Sequence, residues 1–141
     1  DRGQWEALPT LLENRMSAMS CALGGGLFIC GGFVIGPSGD AYATRSTELW
    51  CPDHKRWVLM AAMPEGRVGG VCCSSSDSIF VCGGRRLLKP SPSVNSVACY
   101  KPSLDCWETL QVFPSIPQLF VMSACHMHGN VYVLSRGVSE G

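Results

Sequence analysis

A histidine pair and a glycine run are the features of this sequence that could hold a metal ion or a phosphate group. His126 and His128 are two positions apart, so they would share one face of a strand. No third metal ligand lies near them in the sequence, and we therefore expect no metal site. The run Gly24-Gly25-Gly26 is not followed by Gly-Lys-Ser/Thr, so it predicts a hairpin turn and not a phosphate loop.

Basic residues form the strongest candidate binding site. Arg15 and Arg67 are 52 positions apart and precede similar apolar segments, so we expect them to lie at equivalent places. A guanidinium group can bind a carboxylate through two parallel hydrogen bonds, which favours contact with an acidic partner. The alternative is that each arginine holds the fold together by donating hydrogen bonds to backbone carbonyl groups. The other predicted contact residues, in nearby loops, are Arg85, Arg86, Lys89, Phe33 and Tyr42.

The nine cysteines give information on the cellular compartment of the protein and do not indicate a catalytic role. They occur mainly within apolar runs, as Cys30 and Cys82 do, and a free cysteine packs like a small hydrophobic residue. We therefore expect free thiols and a reducing compartment, the cytosol or the nucleus. The sequence has no Gly-x-Ser-x-Gly motif and no cysteine, histidine and aspartate pattern outside its repeats, so we expect neither an enzyme nor a cofactor.

Composition limits the classes of partner. The chain has 141 residues, 46% of them hydrophobic, and its 11 basic side chains balance 11 acidic ones. Zero net charge gives no overall attraction to nucleic acid or to anionic membranes, so a charged binding surface must be local. The segment 16–39 contains no charged residue, yet its seven glycines and one proline favour strands and turns over a membrane helix.

An internal repeat of about 50 residues organises these features. The residues that recur at intervals of 50 to 52 positions are Arg15 and Arg67; Cys21, Cys73 and Cys125; Gly31-Gly32 and Gly83-Gly84; and Trp5, Trp57 and Trp107. In the second unit, strands are predicted at 68–73, 79–82 and 96–100, with a fourth beginning near Trp107. Polar turns separate these runs, which is typical of an antiparallel sheet of four short strands.

This pattern resembles the Kelch family, whose unit has an arginine before its first strand, a Gly-Gly pair and spaced aromatic residues. The resemblance implies an all-β fold, a partial Kelch β-propeller with four-stranded antiparallel blades: about two full blades plus parts of two more. The implied units are the last strand of a preceding blade at 1–14, Kelch repeats at 15–63 and 67–113, and a partial repeat at 119–141. The third unit departs from the pattern, because Leu119 replaces the arginine and Ser135-Arg136 replaces the glycine pair.

The resemblance also implies roles for the repeated residues. The three tryptophans would pack between neighbouring blades, and the glycine pairs would end the second strands. The chain would be a protein-interaction module that binds a protein or a substrate peptide with the arginines of one rim. It would form the substrate-recruiting part of a BTB-Kelch adaptor for a Cullin-3 ubiquitin ligase, and Cullin-3 would be reached only through BTB and BACK domains absent from this sequence.

Two other functions stay open. Kelch proteins also bind actin and other cytoskeletal filaments, and copper oxidases of the galactose-oxidase type use Kelch-like propellers. A copper site would need tyrosine and histidine ligands that converge, and the tyrosines of this sequence are Tyr42, Tyr100 and Tyr132. Because Tyr100 and Tyr132 already occupy repeated aromatic positions, a binding role is favoured over oxidation.

Overall fold

The structure, a computed structural model, describes residues 3–87, 93–112 and 120–136. The strands are β1 (Met19–Leu23), β2 (Gly26–Cys30), β3 (Phe33–Ile35), β4 (Ala41–Ala43), β5 (Thr47–Cys51), β6 (Arg56–Met60), β7 (Val71–Ser74), β8 (Ile79–Cys82), β9 (Ser96–Lys101), β10 (Cys106–Val112), β11 (Phe120–Met127) and β12 (Asn130–Arg136). No helix occurs within the described ranges, and the predicted all-β class is confirmed.

Two four-stranded antiparallel sheets form most of the chain. The first has the order β1-β2-β5-β6 and the second the order β7-β8-β9-β10, while β11 and β12 pair as a hairpin. Equivalent cysteine–aromatic pairs lie opposite each other in all three units: Cys21 and Phe28, Cys73 and Phe80, and Cys125 and Tyr132. The predicted four-stranded blades are therefore confirmed, and the sequence repeat is also a repeat of strand register.

Two details differ from the predicted strands. The first strand of the second unit was expected from Val68, but β7 begins at Val71. The reason is Gly69, which has a φ of 65° and donates its N–H to the Ser17 carbonyl, 3.0 Å away in the preceding unit. The predicted loop that carries Phe33 and Tyr42 also contains a separate hairpin, formed by β3 and β4.

The core lies between the two four-stranded sheets. Buried side chains from both sheets form one cluster: Met19, Phe28, Cys30, Met63, Ile79, Val81 and Tyr100. The ring centres of Phe28 and Tyr100 are 5.8 Å apart with a 60° tilt, so aromatic packing crosses the junction. Strand β7 contacts β1 on one side and β11 on the other, which places the first strands of successive units side by side.

The repeated tryptophans link each sheet to the segment that precedes it. The Trp57 indole N–H donates to the Pro9 carbonyl at 2.8 Å, and the Trp107 N–H donates to the Ala61 carbonyl at 2.9 Å. Trp5 differs, because its exposed fraction is 102%. The equivalent acceptor would lie 46 to 48 positions earlier, where this sequence has no residue. The packing of Trp5 between blades therefore stays a prediction.

The glycine pairs end the second strands and let the next unit come close. Gly31 has a φ of 61°, and a Cβ added there would lie 2.6 Å from the Arg67 carbonyl oxygen. Gly83 has a φ of 65°, and its added Cβ would lie 2.7 Å from a methyl group of Val121. In the third unit Ser135-Arg136 continues β12, so the second strand is longer there.

Asp105 joins the second sheet to the segment between the two sheets. Its Oδ1 accepts the Tyr100 hydroxyl at 2.6 Å and the Ala61 N–H at 2.8 Å. These two hydrogen bonds, the Tyr100 bond first, hold the pKa of Asp105 below its usual value. The first repeat has Lys55 in place of Asp105 and Pro9 in place of Ala61, so it lacks both the acceptor and the donor.

We expect Gly31→Ala to destabilise the protein more than Gly24→Ala. The two glycines have nearly the same φ, 61° and 59°, so both variants place alanine in the left-handed region at a cost of about 1–2 kcal/mol. At Gly24 an added Cβ meets nothing within 4 Å, whereas at Gly31 it meets backbone of the next unit. Urea unfolding of both variants measures the difference, and equal losses would contradict the close-approach argument.

We expect Asp105→Asn to make stability less sensitive to acid. A carboxyl group with a lowered folded pKa stabilises the fold above its unfolded pKa of about 3.9, and the contribution is lost as pH falls through the lower folded value. Unfolding free energies at about pH 6 and about pH 3 should therefore differ less in the variant than in the wild type. Asp53→Asn, in the equivalent turn of the first sheet, controls for the loss of one exposed carboxyl group. A wild-type pH dependence in Asp105→Asn would contradict the assignment.

Candidate functional site

Arg15 is bound by three parts of the first repeat. Its Nη1 donates to the carbonyls of Gly31, at 3.1 Å, and Ser46, at 3.0 Å. Its Nη2 lies 2.5 Å from the Glu48 carboxylate and 3.2 Å from that of Glu13. The Arg15 side chain is fully buried, and its bonds to Gly31 and Ser46 join the two ends of the segment between β2 and β5.

Arg67 makes the equivalent contacts in the second repeat. Its Nη1 donates to the carbonyls of Gly83, at 3.1 Å, and Ser96, at 3.0 Å, and its Nη2 donates to the Ser96 hydroxyl at 2.9 Å. Its Nη2 also lies 3.3 Å from Glu65, and the side chain is fully buried. Arg67 thus donates hydrogen bonds to backbone carbonyl groups, which is the alternative in which the arginine holds the fold together.

The two arginine sites differ by one buried carboxylate. Glu48 accepts the N–H groups of Leu12, at 2.7 Å, and Glu13, at 3.1 Å, in addition to the Arg15 guanidinium. In the second repeat Ala98 replaces Glu48, and Pro64 replaces Leu12. Because proline has no N–H group, the second repeat can lose the carboxylate with one fewer buried donor left unsatisfied.

Glu65 is shared between the buried arginine and an exposed one. Its Oε1 accepts the Ser96 hydroxyl at 2.6 Å and a bond from Arg67, and its Oε2 accepts Nε of Arg86 at 3.0 Å. Burial raises the pKa of Glu65, but the bonds from Ser96 and Arg86 and the charge of Arg67 outweigh it, and the pKa is lowered overall. The Arg86 side chain is 50% exposed, so this carboxylate connects the interior to the surface.

Glu13 has the corresponding role in the first repeat. Burial raises its pKa, but hydrogen bonds from Ser46, Thr44 and Tyr42 and the charge of Arg15 lower it overall. Carboxylates thus accompany both buried arginines. The positive potential that the basic residues alone predict is largely compensated by these acidic neighbours.

The predicted contact residues that the structure describes lie beside these arginines. Arg85 exchanges two backbone hydrogen bonds with Val68, both 2.9 Å long, and Phe33 exchanges two with Met16, 3.0 and 2.8 Å long. Arg85 and Phe33 therefore occupy equivalent positions directly after the glycine pairs. We call this end of the two sheets the arginine rim; it comprises Arg15, Arg67, Arg85, Arg86, Phe33 and Tyr42.

The outer part of the arginine rim is solvent-accessible. Tyr42 is 45% exposed, and its hydroxyl donates to Glu13 at 3.2 Å. That bond raises the pKa of Tyr42. Lys89 and Leu119 lie outside the described residues, so contact by Lys89 stays a prediction.

The acceptors of the arginine rim were not among the predicted site residues. A signal for them exists, because Glu13 and Glu65 each stand two positions before an arginine, and Ser46 and Ser96 are 50 positions apart. Glu48 has no such signal, since its counterpart in the second repeat is an alanine.

The remaining candidates have packing contacts. The His126 ring stacks on Phe80 with centres 5.9 Å apart and a 4° angle between planes. Burial raises the pKa of Cys73 to about 11 and that of Cys82 to about 12, which keeps both thiols protonated at neutral pH.

Across residues 3–87, 93–112 and 120–136, no three histidine, cysteine or acidic side chains are grouped to hold a metal ion, and no helix has the length and apolar character to cross a membrane.

Comparison with known proteins identifies the repeat. Residues 66–111 match the family model of the Kelch motif. Kelch-like protein 36 of Bos taurus is 29% identical over 111 residues, which are 79% of this chain and 18% of that protein. Beta-scruin of Limulus polyphemus is 31% identical over 137 residues, which are 95% of this chain and 14% of that protein. The chain therefore spans less than a fifth of either relative.

A solved structure supports the same fold. The structure of YjhT matches 89% of this chain with a TM-score of 0.68 and 19% sequence identity, and the match covers 35% of that protein. At this identity the likeness concerns the fold alone, and it confirms the predicted partial propeller.

Arg67→Ala should unfold far more readily than wild type. The substitution removes the donor of the buried Gly83 carbonyl and one of the two donors of the Ser96 carbonyl, and a buried group left unsatisfied costs about 1–3 kcal/mol. Arg67→Lys should recover only part of the loss, because an ammonium group lacks the planar fork. Arg56→Ala, at an exposed arginine of β6, is the control and should change stability by less than about 0.5 kcal/mol. A loss in Arg67→Ala no larger than the control's would disprove the structural role.

Proposed function

Because this chain is a Kelch-repeat protein, we propose that it recruits the substrate of a Cullin-3 ubiquitin ligase as the propeller part of a BTB-Kelch adaptor. Kelch repeats form protein-interaction modules, and the matches to Kelch-like proteins support this role for the present repeats. Cullin-3 itself would be bound by BTB and BACK domains outside this sequence.

The division of the arginine rim into a buried and an exposed layer supports the proposal. Arg15 and Arg67 are buried and fix the ends of the two segments that follow the glycine pairs. Arg86 and Tyr42, by contrast, are about half exposed on those segments. We assign positioning to the buried arginines and partner contact to Arg85, Arg86, Lys89, Phe33 and Tyr42.

An acidic segment of the substrate is the partner that suits this surface. Arg86 already binds Glu65, so a substrate carboxylate would have to share or replace that contact. Charged hydrogen bonds contribute about 1.5–3 kcal/mol when they are well formed, and solvent exposure reduces this figure. Binding would therefore depend on several contacts at once, including apolar contact with Phe33 and Tyr42.

A non-catalytic role in the cytosol or the nucleus completes the proposal. The three tyrosines lie on different sheets, in β4, β9 and β12, and Tyr100 is buried with its hydroxyl bound to Asp105. This arrangement supports a binding module over a copper oxidase. Four buried cysteines, Cys30, Cys73, Cys82 and Cys99, are consistent with a reducing compartment.

We expect Arg86→Ala to weaken binding of an acidic peptide. The probe is a fluorescein-labelled hexapeptide with three glutamates, titrated with the full-length protein and followed by fluorescence polarisation. Loss of one charged contact should lower the affinity about threefold to tenfold, corresponding to about 0.7–1.4 kcal/mol. Arg56→Ala, an exposed arginine at the opposite end of the first sheet, should bind like wild type. Equal affinities of wild type and Arg86→Ala would contradict the assignment of contact.

The adaptor role has its own test. Full-length protein purified from cells should carry Cullin-3, and proteins that accumulate when Cullin-3 is inhibited should include its bound substrates. Co-sedimentation with actin filaments in the absence of Cullin-3 would instead support the cytoskeletal alternative.

A further inference from the structure

A groove of about 640 Å³ opens between the two four-stranded sheets, at the end opposite the arginine rim. Its sides are the turns that connect β1 with β2, β5 with β6, β7 with β8 and β9 with β10. This volume lies within the range of pockets that hold small ligands or the anchoring side chains of a peptide, about 300–1,000 Å³. No function described above uses this groove.

The floor of the groove is apolar and aromatic. Phe28, Leu49 and Trp50 line it, and Phe28 continues into the core. On one side the wall is the turn Gly24-Gly25, where an added Cβ would meet nothing within 4 Å. The second unit has Ser76-Asp77 at the corresponding turn, so the absence of side chains at Gly24 and Gly25 keeps the groove open.

The charged side chains that line the groove are both acidic. Asp53 and Asp77 line it from the first and the second sheet, and its lining contains no lysine, arginine or histidine. Asp77 is held in place by hydrogen bonds from the hydroxyls of Ser75 and Ser78, both 3.0 Å long. Lys101, which lies outside the lining, acts electrostatically on Asp77, so Asp53 is the better candidate to attract a cation.

We propose that this groove docks a short segment of a partner protein in which an apolar side chain stands next to a lysine or an arginine. The apolar side chain would contact Phe28 and Leu49. The cation would lie against the Trp50 ring and approach Asp53, since a cation is attracted both by an indole face and by a carboxylate. The occupant is thus a basic, apolar segment, opposite in charge to the partner of the arginine rim.

The test uses two fluorescein-labelled peptides, acetyl-Leu-Lys-Leu-Gly and acetyl-Leu-Glu-Leu-Gly, with the full-length protein. Fluorescence polarisation should show that the lysine peptide binds at least about threefold more tightly than the glutamate peptide. Asp53→Lys should abolish that preference. Asp40→Lys, which reverses an exposed carboxylate in the β3–β4 turn at the arginine rim, should keep it. The lysine peptide carries no acidic side chain, so its affinity does not report on the arginine rim, and this proposal and the proposed function fail independently.

A second variant, which is expected to fold normally, tests the groove if Asp53→Lys misfolds. Gly24→Asn adds a side chain to the open wall, and asparagine tolerates the φ of 59° at this position. Its thermal midpoint should stay near that of wild type while its affinity for the lysine peptide falls about threefold or more. Equal binding of the two peptides to wild type, or unchanged preference in Asp53→Lys, would overturn the proposal, as would a Gly24→Asn variant that binds as wild type does.

Discussion

The structure of each full repeat depends on one buried guanidinium group. Arg15 and Arg67 each donate to the carbonyl of the glycine that follows the second strand and to the carbonyl of a serine at the start of the third strand. The two glycine carbonyls lie where the sheet ladder stops and would otherwise lack a donor, whereas the serine carbonyls also accept the N–H groups of Gly31 and Gly83. An arginine suits this position because it stays charged and offers several donors in one plane. The loops of the arginine rim can therefore vary while their ends stay fixed.

The neighbours of each buried arginine change together, which shows that the contacts are coupled. Where Glu48 compensates Arg15, Leu12 supplies a backbone N–H that needs an acceptor. Where Ala98 replaces the glutamate, Pro64 removes that donor. The same logic applies at the junction of the sheets, where Asp105 and Ala61 form a hydrogen bond that their counterparts in the first repeat cannot make. A buried polar group and its partner are gained or lost as a unit, since either one alone is unfavourable.

The spacing of repeated residues and the turns between them predicted four-stranded antiparallel units, and the resemblance to the Kelch family predicted the propeller. The spacing alone did not predict the contacts of the arginine rim. Spacing identifies Arg15 and Arg67 as equivalent, but burial depends on acceptors that are distant in sequence, such as Ser46 and Ser96. The β3–β4 hairpin was also missed, although its Phe33–Ala43 pair has a counterpart in the antiparallel Arg85–Ser93 bridge of the second unit. The packing of Trp5 between blades stays a prediction, because the position equivalent to its acceptor falls before residue 1.

The two ends of the sheets differ in how far their charges are compensated, and this difference bears on recognition. At the arginine rim, Glu65 accepts bonds from the exposed Arg86, so an acidic partner must compete with an existing pair. Such competition lowers affinity and raises selectivity, because only a ligand that matches several contacts gains more than it displaces. In the groove at the other end, Asp53 and Asp77 line an apolar floor without a basic side chain. A cationic segment bound there would lie beside Asp53 while an acidic segment lies at the arginine rim, so the two proposed surfaces suit partners of opposite charge.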